Sequence, residues 1–379
     1  MTRPSTIIDG DGHICEPEIV WTEYTTAKFR DDVLQIRTVN GKSDIYIENR
    51  PLPFGAGAGP AEACIPGGMA PGQQLTWADI LPGSHDPAAR LAVMSEEHID
   101  RALLFPSIHL LWGDIRDPAV AAETCRAYND WISDFCKTDP DRLYAMGIIP
   151  LQDINLAIRE AKRLRDIGLS GFISRPERFA GLALYDSACD GLWRVAVDDG
   201  LAVGIHGSFG SGMPGFSTGR YQDNLFYDHM IAHPFGQMAV MMDLIAGGVM
   251  DRFPGLRVGF FESGLGWMPY WIDRLDEHFE VMGHHTPWLK RRPSEIFASQ
   301  CFVSMEADES SGLKLMVEKG LAECILWGSD YPHFDSTYPG AYAEAEGTFA
   351  DAGENIAQLV VFENPQRYMG LKLKNDRKL

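Results

Sequence analysis

Ile7-Ile8-Asp9-Gly10-Asp11-Gly12-His13 is a short apolar run that ends in metal-capable side chains, with Glu16 just beyond. Residues two apart on a strand point to the same side, so Asp11 and His13 reach one point from one strand end. A carboxylate oxygen and an imidazole nitrogen together suit a divalent ion such as Zn, Mn or Fe. Asp-Gly turns are common, so taken alone the stretch reads equally well as a turn. The remainder of the chain decides.

Working outward, helical and strand-like segments alternate after residue 86. Helical signal over 87–98 precedes the apolar run 102–105, and a helix over 117–137 precedes 144–149. The amphipathic run 154–167 stops at Gly168, a usual helix C-terminal punctuation, before 171–174. The pattern repeats with 186–199 before 201–206, 236–252 before 257–262, 267–282 before 301–306 and 311–319 before 325–330. With the opening strand there are eight β–α steps. Short buried apolar strands separated by helices imply a parallel sheet, and eight of them imply a closed (β/α)8 TIM barrel. The whole chain, 1–379, reads as one α/β domain.

Two insertions break the alternation. Residues 31–85 hold a β-hairpin around Asn40-Gly41, followed by a Gly/Pro-rich loop from Pro51 to Gly72. Residues 209–227, after the fifth strand, form an insertion over the site with Phe209, Met213, Phe216, Tyr221, Phe226 and Tyr227. A third irregular stretch, 283–293, carries His284, His285 and Trp288, and its histidines read as solvated.

Composition narrows the class. The net charge is −20, from 33 basic and 53 acidic residues, which argues against nucleic acid and anionic membranes as partners. Seven cysteines, an odd count with no Cys-x-x-Cys, fit a reduced cytoplasmic interior. No signal-peptide core precedes the first strand, and no run is long enough to span a bilayer.

In such a barrel the site lies at the C-terminal ends of the strands. Strand one ends in Asp11 and His13, strand four in Ser174-Arg175 and strand five in His206. Strand six ends in Glu262, strand seven in Glu306 and Asp308, and strand eight in Asp330 with His333 beyond. One such group is readily a packed core residue. Several carboxylates gathered without a cation would be costly to bury.

Asp9-Gly10-Asp11-Gly12-His13-Ile14-Cys15-Glu16-Pro17, Gly204-Ile205-His206-Gly207 and Glu262-Ser263-Gly264 resemble the amidohydrolase-related barrels, the group that includes aminocarboxymuconate-semialdehyde decarboxylase-like enzymes. So do the run 247–256, the run Trp327-Gly328-Ser329-Asp330-Tyr331-Pro332-His333 and Glu363-Asn364-Pro365. The resemblance implies a divalent ion held by Asp11, His13, His206 and Asp330. Two departures stand out: Asp11 replaces the first His of a common His-x-His, and Glu262 occupies the place of a catalytic His on strand six. Strand four also ends without a Lys, which argues against a carboxylated-lysine bridge between two metals.

Charge counting separates two reactions. Asp11, Glu262 and Asp330 with one divalent ion leave the cluster at minus one, a poor seat for a carboxylate substrate, whereas two ions make it plus one. Hydrolysis tolerates this: bound metal lowers the pKa of water to ~7. Asp330 would take the proton, and Glu262 would ligate a second metal or act as general acid/base. The metal, or His206 or His233, would polarise the scissile carbonyl. His233 begins a helix in this reading and is equally a structural residue.

The first expectation is therefore a metal-dependent hydrolase of an ester, thioester or amide-like bond in a bulky apolar organic acid derivative. Arg175, Trp112, Phe209, Trp267 and His333 would bind that substrate, His333 also by holding Asp330. Glu16 would steady the strand-one loop. The alternative is a non-oxidative decarboxylase of an aromatic or unsaturated acid, with Arg175 and histidines cradling the carboxylate. A third is a catalytically silent barrel that binds a small molecule. The aromatic residues would line a pocket, or pack the insertions, or form a homo-oligomer interface.

Overall fold

The computed structural model describes residues 4, 6–52, 59–207, 224–353 and 355–371. Strand β1 (Ile8–Ile14) is followed by an antiparallel excursion of β2 (Gln35–Val39), β3 (Lys42–Ile47) and β4 (Arg50–Leu52). Then come β5 (Arg101–Pro106), β6 (Leu143–Ile148), β7 (Gly171–Ser174), β8 (Ala202–His206), β9 (Val258–Phe261), β10 (Cys301–Met305) and β11 (Ile325–Trp327). β1 and β5 to β11 pair in chain order, every ladder parallel. Almost all their residues are buried, as strands covered on both faces require.

The seam between β11 and β1 closes just past the end of β11. The Asp330 N–H donates to the Asp11 carbonyl at 2.9 Å, and the His13 N–H donates to the Tyr331 carbonyl at 2.7 Å. Gly328 permits that approach, since a Cβ there would lie 2.3 Å from the Asp11 Cβ. The barrel is thus sewn shut by the same residues that carry its ligand-type side chains.

Helices follow the strands because the sequence starts them well. Asp86, Asp117 and Asp153 cap Pro87–Glu96, Pro118–Cys136 and Ile154–Asp166, each accepting a backbone N–H of the first turn. One helix departs from expectation. Leu225–Met241 begins well before 236, capped by Asn224, so His233 lies inside it and not at its start. Pro234 reads as a break in sequence but is accommodated within the helix.

The first insertion contains the expected hairpin. Asn40 (φ 53°) and Gly41 (φ 76°) both take the left-handed conformation that a two-residue turn needs. β4 extends it to three strands, and the helix Pro60–Ala63 follows within the Gly/Pro-rich stretch. Most of the second insertion, 208–223 with Phe209, Met213, Phe216 and Tyr221, lies outside the described residues. Phe226 and Tyr227 lie on the helix Leu225–Met241 and are exposed. Among the described residues no helix is long and apolar enough to cross a membrane. All seven cysteines are buried and unpaired.

Candidate metal centre and active site

Aromatic packing inside the barrel builds a floor for the histidines. Phe105 and Phe261 lie 4.7 Å apart between ring centroids, and Phe105 supports His206 at 5.3 Å and His13 at 5.8 Å. Gly204 lies beside both rings, and a Cβ there would crowd Ile173 Cγ2 at 3.0 Å while only touching the two phenyl rings at 3.4 Å. His206, two residues on, faces the same way.

Hydrogen bonds then fix the tautomers. Nδ1 of His13 donates to the Pro106 carbonyl and Nδ1 of His206 to the Gly207 carbonyl, each at 2.8 Å. In the neutral rings both Nε2 atoms therefore carry lone pairs, yet they face each other at 3.2 Å. Asp11 Oδ1 lies 3.7 Å from each, and Asp330 Oδ1 lies 3.5 Å from His13 Nε2. The Asp11 oxygen is buried with no hydrogen-bond partner.

Two facing lone pairs ringed by anions repel unless a cation lies between them. Donors 2.0–2.2 Å from one ion stand about 3.0–3.6 Å from each other, which these separations approach. Asp11, His13 and His206 form one group of metal-competent atoms, and Asp330 joins His13 in a second with His333. Titration agrees. Burial pushes the Asp11 carboxyl up, but His13 and His206 pull it down further, to about 2. Burial, with His333 nearby, lowers His13 to about 4, so its imidazole is neutral. Burial and then Glu262 drive the Asp330 carboxyl well above the carboxylate range.

The two inward carboxylates sit on unusual backbone. Glu262 (φ 53°) and Asp330 (φ 52°) both adopt the left-handed region at their strand ends. Such strain in a non-glycine residue collects at functional sites.

Glu262 meets the donor cluster from the other ring edge of His206. Its Oε2 lies 3.4 Å from Nδ1 of His206, the ring edge away from the facing Nε2 atoms, and 3.6 Å from Nε2 of His233. Its Oε1 is 3.8 Å from Nδ1 of His333. Burial disfavours charge on both members of the His233–Glu262 pair, yet their mutual attraction wins: His233 is raised and Glu262 falls well below its ordinary value. Gly207 lets the His233 ring in, since a Cβ there would lie 2.3 Å from it.

His333 links the two groups. Its Nδ1 is 2.7 Å from Asp330 Oδ1, and its Nε2 is hydrogen-bonded to the Ser107 hydroxyl at 3.0 Å. His233, Glu262, His333 and Ser107 line a cavity walled by Ile108, Leu110, Leu111 and Phe334 and, from the first insertion, Ala63 and Cys64.

Other expected residues lie elsewhere. Arg175 is buried against Asp114 (2.8 Å) and Glu177 (2.5 Å) and does not line this cavity. Trp112 is wholly buried, its indole donating to the Ile149 carbonyl at 2.9 Å. Trp267 packs edge-on against Phe260 and also stays outside the cavity. Glu16 accepts the backbone N–H groups of Ser107, Ile108 and His109 at 3.0–3.2 Å, and so holds the loop after β5. Glu306 lines a smaller acidic recess with Asp11, Glu262 and Asp330. Asp308 is exposed, and the Phe209 position lies outside the described residues.

Sequence reasoning missed Ser107, Cys64 and His229. The signal for His229 was its four-residue spacing from His233, invisible while the helix was placed to start at 236. His229, His233 and Glu262 offer donor atoms within 4.8 Å of one another.

The amidohydrolase family model matches residues 9–371. The chain belongs to this family. It is an enzyme family of metal-dependent (β/α)8 barrels. A 2-amino-3-carboxymuconate-6-semialdehyde decarboxylase of Dictyostelium discoideum is 22% identical over 289 residues, 76% of this chain and 77% of that one. An amidohydrolase structure from Mycobacterium avium subsp. paratuberculosis superposes with a TM-score of 0.79 at 21% identity, covering 96% of this chain and 99% of that one. A dihydroxybenzoic acid decarboxylase from Polaromonas sp., with bound manganese and the inhibitor 2-nitroresorcinol, superposes at 0.65 with 17% identity, covering 99% of each chain. The decarboxylase names among these relatives favour the second of the two enzymatic expectations over hydrolysis.

Proposed function

We propose that this family member is a divalent-metal-dependent, non-oxidative decarboxylase of an aromatic or unsaturated carboxylic acid. The observation that carries the reading is the His233–Glu262 pair, set between the Asp11/His13/His206/Asp330 donor cluster and an apolar cavity. It changes the charge count. Glu262 is balanced by His233, so Asp11 and Asp330 alone face a divalent ion and the sum is neutral. A carboxylate is no longer repelled, which removes the argument that favoured hydrolysis.

Asp11, His13, His206 and Asp330 would hold the ion. When bound, it supplies a Lewis-acidic anchor for the substrate's oxygen atoms. Decarboxylation breaks a carbon–carbon bond and needs a proton delivered to the carbon that loses CO₂. His233 carries that proton: Glu262 favours its charged form, and the ring lines the cavity. Nδ1 of His233 donates to the His229 carbonyl at 3.1 Å, so the proton to be delivered is the one on Nε2, which Glu262 faces at 3.6 Å. His333, steadied by Ser107, orients Asp330 and borders the reacting carboxylate. The walls formed by Ile108, Leu110, Leu111 and Phe334 accept an apolar, planar body and keep water from the carbon being protonated.

The test is a Mn²⁺-loaded screen of hydroxybenzoic and unsaturated acids for CO₂ release, in parallel with aryl esters and thioesters. CO₂ release with a solvent deuteron on the vacated carbon supports the reading. Ester or thioester cleavage with no CO₂ from any acid would overturn it in favour of the hydrolase.

A further inference from the structure

We infer that Asp9 and Arg90, outside the substrate cavity, form an internal clamp that sets the spacing of the metal donors Asp11, His13 and Asp330. This rests on the metal reading above and extends it to residues that touch neither ion nor substrate.

Asp9 and Arg90 are each 1% exposed. Asp9 uses both carboxylate oxygens. Oδ1 accepts the Ser329 N–H at 2.9 Å and the Asp11 N–H at 3.2 Å, and Oδ2 accepts the Ser329 hydroxyl at 2.6 Å. One carboxylate thus grips β1 directly before Asp11 and the last strand end directly before Asp330. The Ser329 hydroxyl oxygen in turn accepts the Tyr331 N–H at 3.1 Å.

Arg90 reaches the same point from the helix Pro87–Glu96. Its Nη1 donates to the His13 carbonyl at 2.6 Å, and its guanidinium lies 4.9 Å from the centre of the Tyr331 ring. Gly12 leaves room for the pair: a Cβ there would sit 2.6 Å from Asp9 Oδ2 and 2.7 Å from Arg90 Nη2.

A clamp of buried charges is a weak source of net stability, because desolvation offsets their attraction. Its value here is positional. Every bond it makes ends on the backbone or side chain of a residue at, or adjacent to, a donor. A metal site tolerates distance errors of about 0.2 Å. Two strand ends joined only by the Asp11–Asp330 and His13–Tyr331 backbone bonds have freedom to slide; the clamp removes it. Asp9 and Arg90 are therefore positioning residues.

The experiment titrates metal-free protein with Mn²⁺ and measures the thermal midpoint of the same metal-free samples. Variants are S329A, D9N, R90M and R90K. S329A removes one hydroxyl, and with it the acceptor of the Tyr331 N–H, but keeps the bonds of the Ser329 and Asp11 N–H groups to Asp9, so it carries the test if D9N or R90M fails to fold. Loss of outer partners of metal ligands costs about 10–100-fold in affinity. We expect that range for S329A and D9N, with R90K restoring part of what R90M loses. A lowered midpoint with an unchanged Mn²⁺ dissociation constant in S329A and every other folded variant would reduce the pair to ordinary core and overturn the inference. Wild-type protein that takes up no Mn²⁺, Zn²⁺ or Fe²⁺ would overturn the metal reading and the clamp together. Tight binding by wild type and S329A alike overturns only the clamp.

Discussion

His233 and Glu262 carry the sharpest claims at the scale of single residues. If His233 delivers the proton, H233Q should lower kcat by about 10²–10⁴ while metal content stays at the wild-type level. Elemental analysis beside steady-state kinetics checks both halves, and lost metal would move His233 into the donor set. E262Q should likewise keep its metal, because Glu262 lies beyond the Nδ1 edge of His206. Its turnover should fall as His233 loses its charged partner. D330N is expected to abolish turnover with the fold intact by circular dichroism; retained activity would remove Asp330 from the centre. Asp11, His13, His206, Glu262 and Asp330 were all legible in the sequence, since each ends an apolar run where a barrel keeps its chemistry. Their division into a donor cluster and an acid pair was not. That depends on which ring edge Glu262 meets, and side chains from different strands carry no mutual register in sequence.

Elements decide the cavity. The loop after β5 supplies Ser107, Ile108, Leu110 and Leu111 to its wall and hangs on three N–H groups that end on the Glu16 carboxylate. E16A leaves those donors without an acceptor, at roughly 1–3 kcal/mol each if they stay buried. The expected result is a large fall in thermal midpoint and a raised KM. An unchanged KM in whatever fraction folds would show that the loop does not shape the cavity. The helix Leu225–Met241 teaches the opposite lesson. Its first turns follow a Gly-rich stretch and contain Pro234, so local signals place its start too late. The Asn224 cap and the contact of His233 with Glu262 outweigh the proline. Arg175 and Trp112 sit near strand ends as barrel logic requires, yet face acids and core. Strand position alone does not say which way a loop residue turns.

Over the whole molecule, metal and pH are the controls. A ligand that binds only the folded state stabilises it by about 2.7 kcal/mol at a hundred times its dissociation constant. Chelation should therefore lower the thermal midpoint, and Mn²⁺ should restore it; a midpoint indifferent to chelator would count against the centre. Acid should act separately from the metal. Burial opposes charge on Glu48, Glu123 and Asp251, but bonds from the Asp117 and Arg116 backbone, from Arg126, and from the Lys290 backbone with Arg291 hold all three below their ordinary values. A depressed carboxyl contributes full stability above its unfolded pKa, about 4, and loses it as pH falls through the lower folded value. Stability of metal-free protein should thus drop below about pH 4. D251N should flatten that slope, and an unaltered slope in unfolding scans would refute the assignment.

The order of strands and helices, the Asn40-Gly41 hairpin and the metal-capable strand ends were written in apolar periodicity and turn chemistry, which act over a few residues. Local forces of that kind leave their mark in local sequence. The pairing of His233 with Glu262, the burial of Arg175 among acids and the grip of Asp9 on Ser329 join residues up to 320 positions apart. Only the closing of the barrel brings them within reach, and there the buried charges settle by distance which groups can share a cation and which must balance one another.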